Sequence, residues 1–243
     1  MVDRIFNRVL LKQNRVRALE NYEDHNFLIH EIANRIIEDI DNLGMEFNSV
    51  LEVDAMDGYL IDNLKVKQKT ICNEDDLNYP DESFDLLVSN LNMHFINDIP
   101  KFLVDARRVL KNDGVFIASF FGEENLSELA HVLHLVQNEY YGGVSPIMPP
   151  TIDIKTSANL VQKAGFSSPI SNFEKIEVMY KDVVSLFKDI KYMGQGNILH
   201  EKSKRFFTRG FLDAISKKYF DEYSDSSGKA KATFEVVTIM GRK

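Results

Sequence analysis

The chain has 243 residues, and its composition and charge already exclude several classes of protein. Hydrophobic residues make up 44% and charged residues 27% of the sequence, which is typical of a folded protein and excludes wholesale disorder. The net charge of −8 argues against a general nucleic-acid binder, because such proteins neutralise phosphates with a basic surface. The single cysteine, Cys72, excludes an intramolecular disulfide and is consistent with a reducing compartment. We expect neither a membrane-spanning helix nor a cleaved presequence.

The first half of the chain predicts helices that alternate with strands. The predicted elements are a basic amphipathic helix over 4–23, a helix over 28–43, a strand over 48–53, a brief helix that ends at 64, strands over 70–72 and 84–90, a helix from 100 to 110 and a strand over 115–121. Nearly continuous apolar strands in such an alternation indicate a parallel sheet that helices cover on both faces.

The second half has a looser pattern. It predicts helices over 125–138, 152–164, 181–193 and 203–223, strands over 176–180 and 232–240, and a loop rich in glycine and proline over 140–150. We expect a single domain that consists of N-terminal helices (1–44), a sheet core (45–121), a helical cap with pocket loops (122–228) and a final strand (229–243).

Two segments of the chain match known sequence motifs. Residues 81–89 (DESFDLLVS) and residues 109–117 (VLKNDGVFI) resemble, respectively, the fourth-strand segment and the helix, turn and fifth strand of class I S-adenosylmethionine-dependent methyltransferases. A narrower likeness extends along nearly the whole chain in ordered motifs at 6–8, 15–18, 25–28, 93–100, 142–146, 164–166, 193–197 and 232–235. Together these motifs resemble the alphaproteobacterial and mitochondrial methyltransferase-like family of respiratory complex I assembly factors, and more distantly the biotin-synthesis malonyl-carrier O-methyltransferases.

The resemblance implies a fold, a cofactor, a partner and a location. The fold is a class I methyltransferase (Rossmann-like) α/β sandwich with a mostly parallel sheet and an N-terminal helical segment, and the cofactor is S-adenosylmethionine. The mitochondrial member is described as hydroxylating an arginine on an iron–sulfur subunit of complex I, so the implied partner is such a subunit. The implied location is a bacterial cytoplasm, or the mitochondrial matrix if the source is eukaryotic.

The first motif of the superfamily, an acidic strand end followed by Gly-x-Gly-x-Gly, is altered here. Glu52 keeps the acidic position and Gly58 the last glycine, but Asp54 and Met56 replace the first two glycines. Glycine is needed there because the backbone turns tightly and approaches the cofactor closely. Asp54 brings a carboxylate near the cofactor's own carboxylate and ammonium groups, so it either repels the first or pairs with the second.

The interval from Gly58 to Phe84 is too short for the usual helix, strand, helix and strand, so we predict a reduced sheet with about one strand–helix unit missing. Asp75 and Asp76, which lie in this interval, match the ribose-binding carboxylate or the Asp-rich turn near the adenine. Alternatively, they are a solvated acidic turn.

These departures leave two hypotheses of different classes. The first is a non-catalytic assembly protein on a methyltransferase scaffold with an eroded cofactor site. The second is a working S-adenosylmethionine-dependent enzyme, either a methyltransferase or a protein-arginine hydroxylase. In an active enzyme, Glu52, Asp54, Gly58, Asp75, Asp76 and Asn90 are the candidate cofactor-binding residues.

Two residues are candidates for catalysis. His94 follows a predicted strand at the edge where ligands bind, and it is either a general acid or base or a loop histidine bonded to backbone. Asn197 is a candidate for substrate contact.

The candidate substrate-pocket residues are Arg8, Ser145 and Tyr180. The N-terminal arginines either form a solvated helix face, hold acidic groups of a ligand, or dock on a partner or an anionic membrane surface. We expect no zinc site, because no ligand spacing typical of zinc is present.

Overall fold

The protein is described by a computed structural model that covers residues 4–202 and 208–243. The α-helices are α1 (Arg8–Ala18), α2 (Phe27–Asn42), α3 (Tyr59–Asn63), α4 (Ile99–Val109), α5 (Ser127–Tyr141), α6 (Ile154–Lys163), α7 (Val183–Tyr192) and α8 (Arg209–Tyr223). The β-strands are β1 (Ser49–Val53), β2 (Gln68–Cys72), β3 (Phe84–Ser89), β4 (Leu110–Phe121), β5 (Ser167–Tyr180) and β6 (Ala230–Arg242).

The six strands form one mixed sheet in the order β2-β1-β3-β4-β6-β5. The first four strands in this order are parallel, and β6 runs antiparallel to both β4 and β5. Every residue of β1 is buried, as expected for a parallel strand with helices over both faces. Since the parallel strands end at the same edge of the sheet, the loops that follow β1, β2, β3 and β4 converge there.

Helices cover both faces of the sheet, and α1 lies at its ligand-binding edge. The larger core joins one face to α2, α3, α5, α7 and α8, and the smaller core joins the other face to α4 and α6. A third, small cluster attaches α1, because Leu11 packs with Phe95 and with Ile198. The predicted fold class, including the N-terminal helical segment, is confirmed.

The prediction of a reduced sheet is also confirmed. Between Gly58 and Phe84, the chain forms one short α-helix, α3, one strand, β2, and a 3-10 turn over Glu74–Asp76. No further strand lies beyond β2 among the described residues, so β2 is an edge of the sheet.

Several predicted elements differ in extent from the observed ones. The strand predicted over 176–180 is the end of β5, which begins nine residues earlier, at Ser167. The turn predicted at 111–114 lies within β4, where Asp113 has a φ of 64° and the pairing with β3 shifts register. Of the helix predicted over 203–223, residues 203–207 lie outside the described residues, and α8 begins at Arg209.

Candidate functional site

The loop after β1, residues 54–58, is called the β1 turn here. Asp54 has a φ of 58° and Gly58 a φ of 77°, so the turn is left-handed at both ends. Asp54 therefore adopts a conformation that costs an L-residue energy and that glycine adopts freely. Gly58 is the N-cap of α3, and its left-handed backbone explains why this last glycine is present.

The carboxylate of Asp54 is buried in a network of ion pairs and hydrogen bonds. Asp54 is 4% exposed, and its Oδ2 accepts hydrogen bonds from Arg8 Nη2 and Asn92 Nδ2, each at 2.8 Å. Arg15 Nη1 donates to the backbone carbonyl of Asp54 at 3.1 Å and lies 3.9 Å from its Oδ1. A second amino group of Arg15 donates to Asn92 Oδ1. The side chains of α1 thus reach the β1 turn and neutralise its carboxylate.

The network continues to the loop after β2. Arg8 Nε lies 3.0 Å from Glu74 Oε1, so this arginine bridges two carboxylates that follow adjacent strands. Burial lowers the pKa of Arg15, and the neighbouring Asp54 opposes that shift. Arg8 and Arg15 thus pair with carboxylates of the chain itself, which none of the three interpretations of the N-terminal arginines predicted.

Glu52 lies beneath the β1 turn. Its Oε2 accepts a hydrogen bond from the backbone N–H of Ile61 at 3.1 Å, in the first turn of α3. Burial raises the pKa of Glu52 to about 7, the nearby Asp57 and Asp62 add to the increase, and the bond from Ile61 opposes it. Glu52 therefore anchors α3 to the strand below it.

Met56, the second substitution in the altered motif, points toward the segment after α7. Its sulfur would lie 3.4 Å from a Cβ atom built on Gly194, and Arg15 lies against the same glycine. The side chains of Met56 and Arg15 therefore fill the space between the β1 turn and Gly194.

His94 is buried in the loop between β3 and α4. Its Nδ1 accepts from the Phe121 N–H at 3.5 Å, and its Nε2 lies 3.0 Å from Gln195 Oε1. Gln195 in turn donates to the Leu91 carbonyl. Burial lowers the pKa of His94 to about 3, so the imidazole is neutral at physiological pH with both nitrogens in use.

An apolar cavity of about 410 Å³ opens beside His94. Its walls come from the end of β4, from α5 and α7, and from the loops around Met148 and Gln195. Charged side chains at its lining are Arg17, Glu123 and Lys191. This volume and composition are typical of a pocket for a small molecule or for a side chain of a partner protein.

Of the predicted catalytic and pocket residues, His94 and Asn197 line this cavity, and Ser145 and Tyr180 are not part of its described lining. Asn197 Nδ2 donates to the Ile147 carbonyl at 2.6 Å, and its Oδ1 accepts from the Leu199 N–H. The N–H of Ser145 donates to Gln137. The hydroxyl of Tyr180 donates to Asp189 at 2.7 Å. Burial, and then the bond to Asp189, raise the pKa of Tyr180.

The remaining predicted cofactor residues lie apart from one another. Asn90 Nδ2 donates to the Ile29 carbonyl at 2.8 Å, and its Oδ1 accepts from Ser119, so Asn90 ties α2 to β4. Asp76 is exposed and accepts from Asn73. The side chain of Asp75 lies outside the described part of the chain.

A second, polar cavity of about 410 Å³ borders the network of Arg8 and Glu74. Arg8 and Glu74 line it together with Lys101 and Arg108 of α4. No group of three or more His, Cys, Asp or Glu side chains among residues 4–202 and 208–243 is placed to hold a metal ion.

The structure brings together Arg8, Asp54 and Glu74, and separately His94 and Asn197, while Asn90 and Asp76 belong to neither group. Sequence reasoning missed the roles of Asn92 and Gln195. Asn92 follows a predicted strand by two residues at the ligand-binding edge, which is a signal that could have identified it.

Comparison with known proteins shows which family the chain belongs to. Residues 33–118 match the model of the methyltransferase domain family. The rat (Rattus norvegicus) protein "Arginine-hydroxylase NDUFAF5, mitochondrial" is 29% identical over 98% of this chain and 77% of its own length. "Putative methyltransferase RP459" of Rickettsia prowazekii is 31% identical over 72% of this chain and 76% of its own. A malonyl-[acyl-carrier protein] O-methyltransferase of Methylovorus is 30% identical over 64% of this chain and 50% of its own.

Solved structures agree on the fold. The crystal structure of a putative methyltransferase from Bacillus halodurans superposes with a TM-score of 0.55 at 13% identity, over 85% of this chain and 98% of that one.

None of the helices formed by residues 4–202 and 208–243 combines the length and apolar content that crossing a bilayer requires. The resemblance found in the sequence is confirmed: the chain belongs to the methyltransferase domain family, and it is related along nearly its whole length to the NDUFAF5 arginine hydroxylases.

Proposed function

We propose that this protein is a non-catalytic assembly factor of respiratory complex I that has lost the S-adenosylmethionine site of its family. The observation that carries the proposal is the buried carboxylate of Asp54 in the β1 turn, held by Arg8 and Asn92. The family implies S-adenosylmethionine as cofactor, and this chain departs from the superfamily's Gly-x-Gly-x-Gly motif at the turn that would hold it.

The residues of the β1 turn do not fit that cofactor. Glycines in this turn leave room for a ligand and expose backbone N–H groups, whereas Asp54 and Met56 fill the space with side chains. The Asp54 carboxylate already uses the cations that a ligand carboxylate would need. Displacing it would leave an unpaired buried charge, which is strongly unfavourable.

In the proposed assembly role, the partner binds at the apolar cavity beside His94, which is open to solvent. The apolar cavity beside His94 is large enough for a side chain of a partner, and Glu123, Arg17 and Lys191 provide charged groups at its lining. The partner is an iron–sulfur subunit of complex I, and the protein acts in a bacterial cytoplasm or, in a eukaryote, in the mitochondrial matrix.

Two measurements test the proposal, and each can contradict a different part of it: the loss of the cofactor site or the role in assembly. In calorimetric titration with S-adenosylmethionine, we expect no binding up to millimolar concentration, with a methyltransferase that has an intact glycine motif as control. The variant Asp54→Gly/Met56→Gly, which reopens the β1 turn, should gain measurable affinity. Micromolar binding by the wild type contradicts the loss of the site.

The second measurement concerns assembly. In cells that lack the gene for this chain, the wild-type protein should restore the amount of assembled NADH:quinone oxidoreductase. No restoration contradicts the assembly role, whatever the result of the titration.

A second candidate function is hydroxylation of a protein arginine. The relatives that are similar along nearly the whole chain carry the name arginine hydroxylase, and the cavity beside His94 has Glu123 in its lining. Inserting one oxygen atom of dioxygen into a C–H bond reduces the other to water, so the assay supplies oxygen together with a two-electron reductant. Hydroxylated arginine on a partner incubated with this protein, oxygen and that reductant, detected by mass spectrometry, favours this candidate. An unmodified partner under these conditions favours the non-catalytic role.

A further inference from the structure

The strand β5 is a long, open edge of the sheet. It has 14 residues and pairs along one side with β6, and no described strand pairs with its other side. An open edge presents unpaired N–H and C=O groups, which makes it a ready template for another strand.

One face of β5 carries two charged residues flanked by two apolar ones. Phe173, Lys175, Glu177 and Met179 follow one another at intervals of two positions, and they share a face because side chains alternate along a strand. Phe173 is 53% exposed and Met179 is 38% exposed, so two large apolar side chains face solvent at this edge.

This order of residues is complementary to itself. When β5 pairs antiparallel with a second β5 about a twofold axis at Ile176, Phe173 of each copy lies opposite Met179 of the other. Lys175 of each copy then lies opposite Glu177 of the other. Opposite charges and apolar side chains that face each other directly across strands stabilise such a pair.

Registers centred on neighbouring residues lose this match. A twofold axis at Lys175 or at Glu177 places like charges directly opposite each other. An axis at Glu174 places Phe173 opposite Lys175. The sequence of β5 therefore selects the axis at Ile176.

The present partners of these charges allow the exchange. Lys175 contacts Glu124 and lies 3.9 Å from the carboxylate of the buried Glu235, and Glu177 lies 3.1 Å from Lys231. The pairs with Glu124 and Lys231 are largely exposed and so contribute little to stability, and they lie on the same face as the new contacts.

We propose that the protein forms a symmetric dimer in which the β5 strands of two copies pair antiparallel about Ile176. The two six-stranded sheets then form one continuous sheet, and the interface is isologous, since each copy supplies the same surface. This inference does not depend on the proposed function.

The test exchanges charges. Lys175→Glu and Glu177→Lys each place like charges opposite each other twice in a homodimer, so each variant alone should raise the dimer dissociation constant at least about tenfold. An equimolar mixture of the two variants restores both opposite-charge pairs and should dimerise like the wild type. Sedimentation velocity measures the mass against the 28.0 kDa of one chain, and a tag on one variant identifies the mixed dimer.

Lys101→Glu, an exposed charge reversal on α4, is the control and should leave the wild-type dimer intact. Circular dichroism shows that each variant is folded. A wild type that stays monomeric over the concentration series overturns the proposal, as do single variants that dimerise like the wild type. A mixture of folded variants that stays monomeric overturns the register about Ile176.

Discussion

Glu52 is a buried acid whose protonation affects the folding stability. Its folded-state pKa of about 7 lies above the ordinary pKa of about 4.5, because burial disfavours the charged form. The folded protein therefore binds more protons at this site than the unfolded protein does at intermediate pH. Its contribution to stability is consequently largest below about pH 4.5 and is lost as the pH rises through about 7.

Replacement Glu52→Gln removes this titration. In the wild type, Glu52 should reduce the free energy of unfolding by about 3 kcal/mol between pH 4.5 and pH 8, whereas the uncharged glutamine of the variant should contribute no slope. Urea unfolding of both proteins across this range measures the difference. We expect the variant to be the more stable of the two at pH 8, since the glutamine oxygen can still accept the bond from Ile61.

Glu46→Gln, which changes an exposed glutamate just before β1, is the matched control and should leave the wild-type slope in place. Parallel stability curves for wild type and Glu52→Gln would show that the Glu52 carboxyl titrates normally in the folded protein.

The sequence predicted only part of the residue-scale geometry. The acidic position of Glu52, the glycine at 58 and the two lost glycines followed from local pattern, because a turn between strand and helix needs few residues. The pairing of Arg8 with Asp54 did not follow, since the two residues are 46 positions apart and meet only when α1 docks. The sequence therefore showed that the motif was altered but not what replaced it.

At the scale of elements, Asn197 links two loops that surround the apolar cavity. Its amide donates to the Ile147 carbonyl and its oxygen accepts from the Leu199 N–H. The first bond fixes the glycine- and proline-rich loop, and the second fixes the chain after α7. We therefore expect Asn197 to determine the shape of the cavity.

The variant Asn197→Ala should lose about 1–3 kcal/mol of unfolding free energy, because two partly buried backbone groups lose their partners. It should also speed amide exchange of the loop over 142–150, which hydrogen exchange measured by mass spectrometry detects. Asn138→Ala, at an exposed position of α5, serves as the control. Unchanged exchange in the loop would mean that the loop is held by its own packing.

The ends of a strand could be predicted from the sequence where both faces of the strand are buried. The parallel strands β1 and β3 are nearly continuous apolar runs, and both were predicted within one residue of their observed ends. The first half of β5 was missed because an edge strand is half exposed, so Ser167, Asn172 and Lys175 conceal the alternation. An apolar sequence pattern thus indicates a buried strand, and it becomes less regular where one side of the strand faces solvent.

At the scale of the whole molecule, α1 lies across the ligand-binding edge of the sheet and is held there by contacts at two places. The segment just before α1 is held by Asn97, whose side chain makes two hydrogen bonds with the backbone of Phe6. The helix itself is held by Arg8 and Arg15, which contact Asp54 in the β1 turn. The charge network therefore couples the position of α1 to the turn that the family uses for its cofactor.

A double-mutant cycle over Arg8 and Asp54 measures this coupling. Arg8→Met should cost about 3 kcal/mol of unfolding free energy, because it leaves a buried carboxylate with one fewer cation. Adding Asp54→Asn should recover part of this loss, giving a coupling energy of at least about 1 kcal/mol in chemical unfolding. Lys12→Met, at an exposed position of α1, should show no coupling to Asp54→Asn. If the Arg8 and Asp54 changes are simply additive, the pairing of Arg8 with Asp54 does not hold α1 against the β1 turn.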